Sequence, residues 1–232
     1  MEQLWTSTGT KQVTGKGKVI NMRKIQVVIE HELYKYEELG CEAKEKAKMD
    51  YLDGLEPALF TDDVETDLKT VFPNSFLGVW YSLNYCQGDG LSVYGTLAFE
   101  DIFNILKGNG YTVLVEGIKP FTEKEIKTLR FYAKEEEELK IDGSCRYPFF
   151  RDWCYNFADD WIETFEYNGL SGIKTDLIHR FEDAVKTIMR RYCKKWEDIG
   201  YKFFYEIDDE TMEEMSDGNG WEYLVDGTLY EA

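Results

Sequence analysis

Apolar residues along this chain change their spacing from two to about four, and that change marks out the elements. From Phe76 to Tyr85 and from Leu91 to Leu97 they alternate as in strands, placing Val79, Tyr81, Leu83 and Tyr85 on one face and Trp80, Ser82, Asn84 and Cys86 on the other. Gly88-Asp89-Gly90 lies between the two runs and reads as the turn of a β-hairpin. From Ile173 to Phe204 the period is helical. Leu177, Phe181, Ala184, Val185, Ile188, Tyr192, Trp196, Ile199 and Phe203 fall within a sector of about 120°, the width of a core-facing stripe.

Shorter patterns fill the rest. Ile25, Val27 and Ile29 alternate and predict a strand over Ile25 to Tyr36. Helix formers over 41 to 53 predict a helix stopped by Gly54, and Thr61 is the expected cap of another that ends before Pro73. Phe99 to Leu106 reads as a short helix, and Tyr111 to Val115 as a strand or that helix's continuation. Thr122 with Glu125 marks a helix through Ala133, and Leu139 to Gly143 reads as strand and turn. The aromatic stretch 144 to 168 fits either period and is read as a strand followed by a helix, contributing mainly to the core. The expectation is an α+β fold: a central antiparallel sheet containing Ile25 to Tyr36 and both hairpin arms, covered by the long C-terminal helix and smaller helices.

The first 21 residues are polar and aperiodic and read as a flexible tail, leaving one acidic domain over 22 to 232 whose last part, 205 to 232, is an acidic segment. Patterned sequence begins just after Met22, which makes Met22 a second candidate start.

The run Tyr85-Cys86-Gln87-Gly88-Asp89-Gly90-Leu91-Ser92-Val93 resembles the Ser-Gln-Gly-Asp-Gly-Ala-Ser-Phe signature of a family of bacteriophage and mobile-element proteins of unknown function. Cys86 stands where that family has Ser, and Leu91 and Val93 replace Ala and Phe. The order of elements agrees in outline from residue 23 onward, ending in a long helix and the short turn Val225-Asp226-Gly227. The resemblance implies a phage or mobile-element origin, and with it the bacterial cytosol as the place of action. It brings no catalytic chemistry.

Charge narrows the partners. The chain carries −18 over 232 residues, and its first 24 hold five basic groups against one acid, so the remainder holds −22. Such a surface repels nucleic acid and anionic lipid and favours basic proteins. From Phe203 onward ten acids meet no Lys or Arg. Glu206, Asp208, Asp209, Glu210, Glu213, Glu214 and Asp217, with Trp221, are therefore the candidate partner-binding residues, spaced so that carboxylates can stand in for phosphates. The partner expected is a basic host protein, an RNA-guided CRISPR effector nuclease being the first to name, which would make the chain anti-CRISPR-like. Two alternatives stay open. One is an enzyme holding a small ligand at Gln87, Gly88, Asp89 and Gly90, and the other an antitoxin or assembly factor that neutralises one basic partner.

No catalytic set, phosphate loop or dinucleotide fingerprint is present, and neither a cofactor nor a metal is expected. Asp62, Asp63, Glu65 and Asp67 lack calcium-loop spacing and read as first-turn acids of a helix, and His179 near Asp176 and Asp183 reads as a solvated face. Lys186, Arg190 and Lys194 form one basic stripe, a weak nucleic-acid signal. The five cysteines have no Cys-x-x-Cys pair and are expected as reduced, mostly buried thiols. No apolar run approaches the length of a membrane span or a signal sequence.

Overall fold

A computed structural model describes residues 30–86, 88–108, 112–134, 138–141, 155–170 and 172–230, and the backbone alone of 7–14 and 18–25. The chain is α+β and divides into two compact units, Met1–Asp50 with Asp208–Ala232, and Tyr51–Ile207, where one domain was expected.

The larger unit is built on the hairpin. Strands β3 (Phe76–Ser82) and β4 (Gly90–Ala98) pair antiparallel from Phe76↔Thr96 to Ser82↔Gly90, and β5 (Glu138–Ile141) adds to the other edge of β4. Val79 and Leu83 are buried and Trp80 is exposed, as their alternation requires, whereas Tyr85 leaves the buried face.

Of the expected strand Ile25 to Tyr36, residues 26–29 lie outside the described residues, and neither Ile25 nor 30–36 joins this sheet. Residues Ser7–Thr14 (β1) and Lys18–Ile25 (β2) instead form their own two-stranded antiparallel sheet where a polar tail was expected. Thr and Val supply strand propensity there without an apolar alternation to betray it. Of the described residues from Glu30 to Tyr36, Tyr34 alone enters a strand pairing, the isolated bridge to Tyr223, before a 3-10 turn over Tyr36–Glu38.

Helix α1 (Cys41–Asp53) has the predicted bounds, but α2 (Pro57–Val71) starts four residues before Thr61. Proline at the first helical position has a pre-set φ and lacks an N–H that would be unpaired anyway. Thr61 is accordingly inside the helix, its hydroxyl donating to the Pro57 carbonyl at 3.1 Å. Helix α3 (Phe99–Leu106) has its predicted bounds, and α4 (Thr112–Val115) is helical rather than a strand. Helix α5 (Glu123–Tyr132) is capped as its sequence announces, the Thr122 hydroxyl accepting from the Glu125 N–H and the Glu125 carboxylate from the Thr122 N–H. Of the aromatic stretch 144 to 168, residues 144–154 lie outside the described residues, and α6 (Ala158–Tyr167) buries Trp161 and Phe165.

Helix α7 (Thr175–Tyr205) covers the sheet. Leu177, Phe181, Ile188 and Tyr192 are buried as the stripe demands, and only Ile199 leaves it, at 37% exposure. Phe181 stands among Phe103, Phe99, Phe157 and Trp161, with ring centroids 5.0–6.3 Å away. Near its end α7 touches the hairpin closely. A Cβ on Gly200 would lie 2.4 Å from Leu83 Cδ1 and 2.8 Å from Phe60 Cζ.

In the smaller unit, α8 (Asp209–Asn219) follows the cap residue Asp208. Beyond it Tyr223 bridges both Tyr34 and Leu229, and Gly227, at φ 88°, passes so close to α1 that a Cβ would meet the Ala43 carbonyl at 2.0 Å. No described helix is long and apolar enough to cross a membrane.

Two substitutions test this packing. Phe181→Ala should cost about 3–5 kcal/mol in chemical denaturation, as large-to-small core changes do. Gly200→Ala should destabilise by about 1–3 kcal/mol, although alanine is the better helix former, because Phe60 is held by Tyr81, Trp196, Phe203 and Phe204 and cannot make room. A stabilised Gly200→Ala protein would show that the helix does not approach the hairpin this closely.

Candidate functional site

Two sets of residues were singled out from the sequence, and they lie in different units. The first is the hairpin turn. Asp89 organises it: its carboxylate accepts from Ser82 Oγ at 2.8 Å, from the Asn84 N–H at 2.6 Å and from the Cys86 N–H at 2.7 Å. These donors, the Cys86 N–H foremost, hold the Asp89 carboxyl below the usual carboxylate range. Gly88 and Gly90 take φ of 95° and 149°, open to glycine and costly for other residues. Gln87 lies outside the described residues. The acceptor sites of Asp89 are thus directed at its own turn, as in an Asx-type motif.

Helix α7 then holds the turn through a ladder at positions i, i+4 and i+8. Glu197 Oε1 accepts from the Leu91 N–H at 2.9 Å, Tyr201 lies within the influence of the Asp89 charge, and the Tyr205 hydroxyl donates to the Leu83 carbonyl at 2.6 Å. Burial, and then the Asp89 charge, push the Tyr201 phenol up. Tyr85 lies across the rings of Tyr201 and Tyr205, at 4.6 and 4.8 Å, and among the described residues it is the one non-glycine with positive φ, 54°. The sequence reading missed these tyrosines. Their spacing of four along the helix was the available signal.

The second set is the acidic segment. Glu206 ends α7 in the larger unit, and the other acids lie on or beside α8 in the smaller one. Asp208 caps α8, accepting from the Thr211 N–H at 2.7 Å. Asp209 accepts from the Tyr36 hydroxyl at 3.0 Å and pairs with Lys48 at 2.9 Å, so Lys48 and then Tyr36 hold its carboxyl down. Asp217 stands 3.8 Å from Lys35. Asp226 pairs with Lys46 at 2.6 Å and accepts from the Thr228 N–H, which lowers its carboxyl to about 2. Four of the acids therefore tie the segment 208 to 230 to residues 35 to 48 or to itself. Trp221 is half-buried, and its N–H donates to the Ser216 carbonyl.

The remaining acids of α8 share one face with Asp217. Met212 and Ser216 point inward and are buried, while Glu210, Glu213, Glu214 and Asp217 fall in a sector of about 100° on the opposite side of α8. Glu210, Glu213 and Glu214 make no ion pair among the described residues. Three intervals over about 10.5 Å of helix axis give one carboxylate per about 3.5 Å. A single DNA strand carries one phosphate per about 3.4 Å.

Other sequence candidates resolve into packing. Asp67 accepts from Trp196 Nε1 at 2.7 Å and from Lys195 at 3.1 Å. His179 is exposed and stands 3.8 Å from Asp159, rather than with Asp176 or Asp183. In the basic stripe, Lys186 pairs with Glu182 at 2.5 Å and Lys194 with Asp198 at 2.8 Å, so its charge is largely compensated. Of the described cysteines Cys193 is buried, but Cys41 and Cys86 are exposed, contrary to the expectation of buried thiols. Among the described residues no group of three His, Cys, Asp or Glu is placed to hold a metal ion. Comparison with protein-family models, curated proteins and solved structures finds no match to this chain.

The role of Asp226 is open to direct measurement. A carboxyl depressed in the folded state adds stability above the unfolded value of about 3.9 and loses it as pH falls through the folded value. Carboxyl-detected NMR should place the Asp226 midpoint near 2. In Lys46→Met it should rise toward the unfolded value, and the acid unfolding of the smaller unit should begin at higher pH. A wild-type midpoint near 3.9 would show that the Lys46 pair does not form.

Proposed function

We propose that this chain is a non-enzymatic binding protein that occupies a basic, nucleic-acid-handling protein, with the outer face of α8 standing in for a phosphate backbone. The observation that carries this reading is the set of carboxylates left uncommitted. Asp208, Asp209 and Asp226 are used by the fold, whereas Glu210, Glu213 and Glu214 project together with no cation opposite them. With Asp217 on the same face, which Lys35 approaches to 3.8 Å, the four carboxylates average one per about 3.5 Å of helix axis, near the phosphate repeat of a single strand. The net charge of −18 adds long-range attraction to any basic channel and disfavours direct nucleic-acid binding by the chain itself.

The resemblance of the hairpin to a bacteriophage and mobile-element family supports a host defence protein in the bacterial cytosol as the target. An RNA-guided nuclease is the first to test, since it holds its heteroduplex in a positively charged channel. The turn at Gly88, Asp89 and Gly90 serves here to lock the hairpin on α7, with its carboxylate engaged locally.

The test is capture from a bacterial lysate, then reconstitution with the purified partner. Wild-type protein should retain a basic nuclease, lose it as salt rises, and compete with DNA or guide RNA for it, because screening acts over about 8 Å at physiological salt. The triple change Glu210→Lys, Glu213→Lys and Glu214→Lys should abolish retention at unchanged melting temperature. Reversing Asp208 and Asp209 should instead lower the melting temperature, since it removes a helix cap and the partner of Lys48. Equal retention by the triple variant would end the phosphate-mimic reading.

A further inference from the structure

The larger unit contains a groove of about 320 Å³ where the end of α1, the start of α2, the end of β3 and the end of α7 meet. Tyr81, Phe204 and Tyr205 line it together with Leu55, and Asp53 stands among them. Tyr81 and Phe204 are stacked, their planes 29° apart and their centroids 6.2 Å apart. Hydroxyl groups pin both tyrosines, Tyr81 to the Pro57 carbonyl at 3.0 Å and Tyr205 to the Leu83 carbonyl at 2.6 Å, and Phe60 and Tyr85 pack against their rings, so both stand as fixed walls of the groove.

The charged side chain that lines this groove is acidic. None of its lining residues is Lys or Arg, and Asp53 makes no ion pair among the described residues. Helices α1 and α7 both end here, at Asp53 and Tyr205. Helix C-termini carry partial negative charge on carbonyls that lack an intrahelical partner. The N-terminus of α2 contributes the opposite sign, and the carboxylate of its cap residue, Glu56, is exposed and makes no side-chain cap bond there. Glu206 follows Tyr205 directly and is exposed. Aromatic faces attract a cation through the ring quadrupole, and a planar guanidinium stacks on them where a compact ammonium cannot.

We propose that this groove receives an arginine side chain of the basic partner, with the guanidinium against Tyr81, Phe204 and Tyr205 and its charge facing Asp53. The proposal rests on the reading of the protein as a binder of a basic partner and supplies a specific anchor for it. An anion is repelled by the same groove, and a neutral side chain of equal shape forgoes both the ring and the carboxylate attraction.

The test is an NMR titration of the full-length chain with Nα-acetyl-arginine methylamide, run beside the citrulline analogue, which has nearly the same shape without the charge. The arginine probe should produce saturable shifts at the rings of Tyr81, Phe204 and Tyr205 and bind at least fivefold more tightly than citrulline. Asp53→Asn, at an exposed position, should weaken it at least threefold at unchanged melting temperature. Equal binding of citrulline, or arginine shifts confined to the α8 carboxylates, would overturn the proposal. The two readings separate cleanly. If a basic protein is retained through Glu210, Glu213 and Glu214 while the probe leaves the groove unmoved, the groove assignment fails alone. If the probe occupies the groove and no basic protein is retained, the anchor stands and the wider function fails.

Discussion

The contact between the last turns of α7 and the hairpin is the constraint on which the larger unit depends. Gly200 is the residue that permits it, because any side chain there would meet Leu83 and the caged ring of Phe60. Once the helix comes that close, Glu197 and Tyr205 are positioned to take the Leu91 N–H and the Leu83 carbonyl, with Tyr201 between them against Tyr85. Tyr85 accepts an uncommon backbone conformation, and its ring gains two aromatic neighbours in return. A Gly-Asp-Gly turn is therefore a device for fastening a sheet to its covering helix. Its glycines supply backbone geometry and its carboxylate supplies the local hydrogen bonds.

Acidity in this protein divides into two kinds by the same local logic. Carboxylates at a helix start, or within reach of Lys46 or Lys48, are held ionised by their partners and stabilise the smaller unit. Those on the far side of α8 stabilise nothing visible and repel one another. Like charges three and four residues apart on a helix are mildly unfavourable. A fold that keeps three such groups together, next to acids it does use, is the observation on which the proposed partner-binding role rests.

The elements legible in the sequence were those whose signals are local. The α7 stripe, the Thr122–Glu125 capping box and the alternation of the hairpin each depend on residues within a turn or two of one another, and each stands where the pattern placed it. The start of α2 was misread because Thr61 resembles a cap while Pro57, the true first residue, is equally at home in a turn. Sheet membership was not legible for Ile25 to Tyr36, since strand propensity carries no information about the partner, and Thr-rich β1 offers it without apolar alternation. In the acidic segment, composition located α8's neighbourhood. The division of its carboxylates was hidden, because Lys46 and Lys48 meet Asp226 and Asp209 across more than 150 residues of chain.

The most direct measurement is carboxyl footprinting of the protein alone and bound to its partner, read residue by residue by mass spectrometry. Glu210, Glu213 and Glu214 should label readily in the free protein and be protected in the complex, while the labelling of Asp89 is the same in both. Protection of Asp89 with those three glutamates unchanged would contradict the account, for it would place the partner on the hairpin turn and leave the α8 face idle.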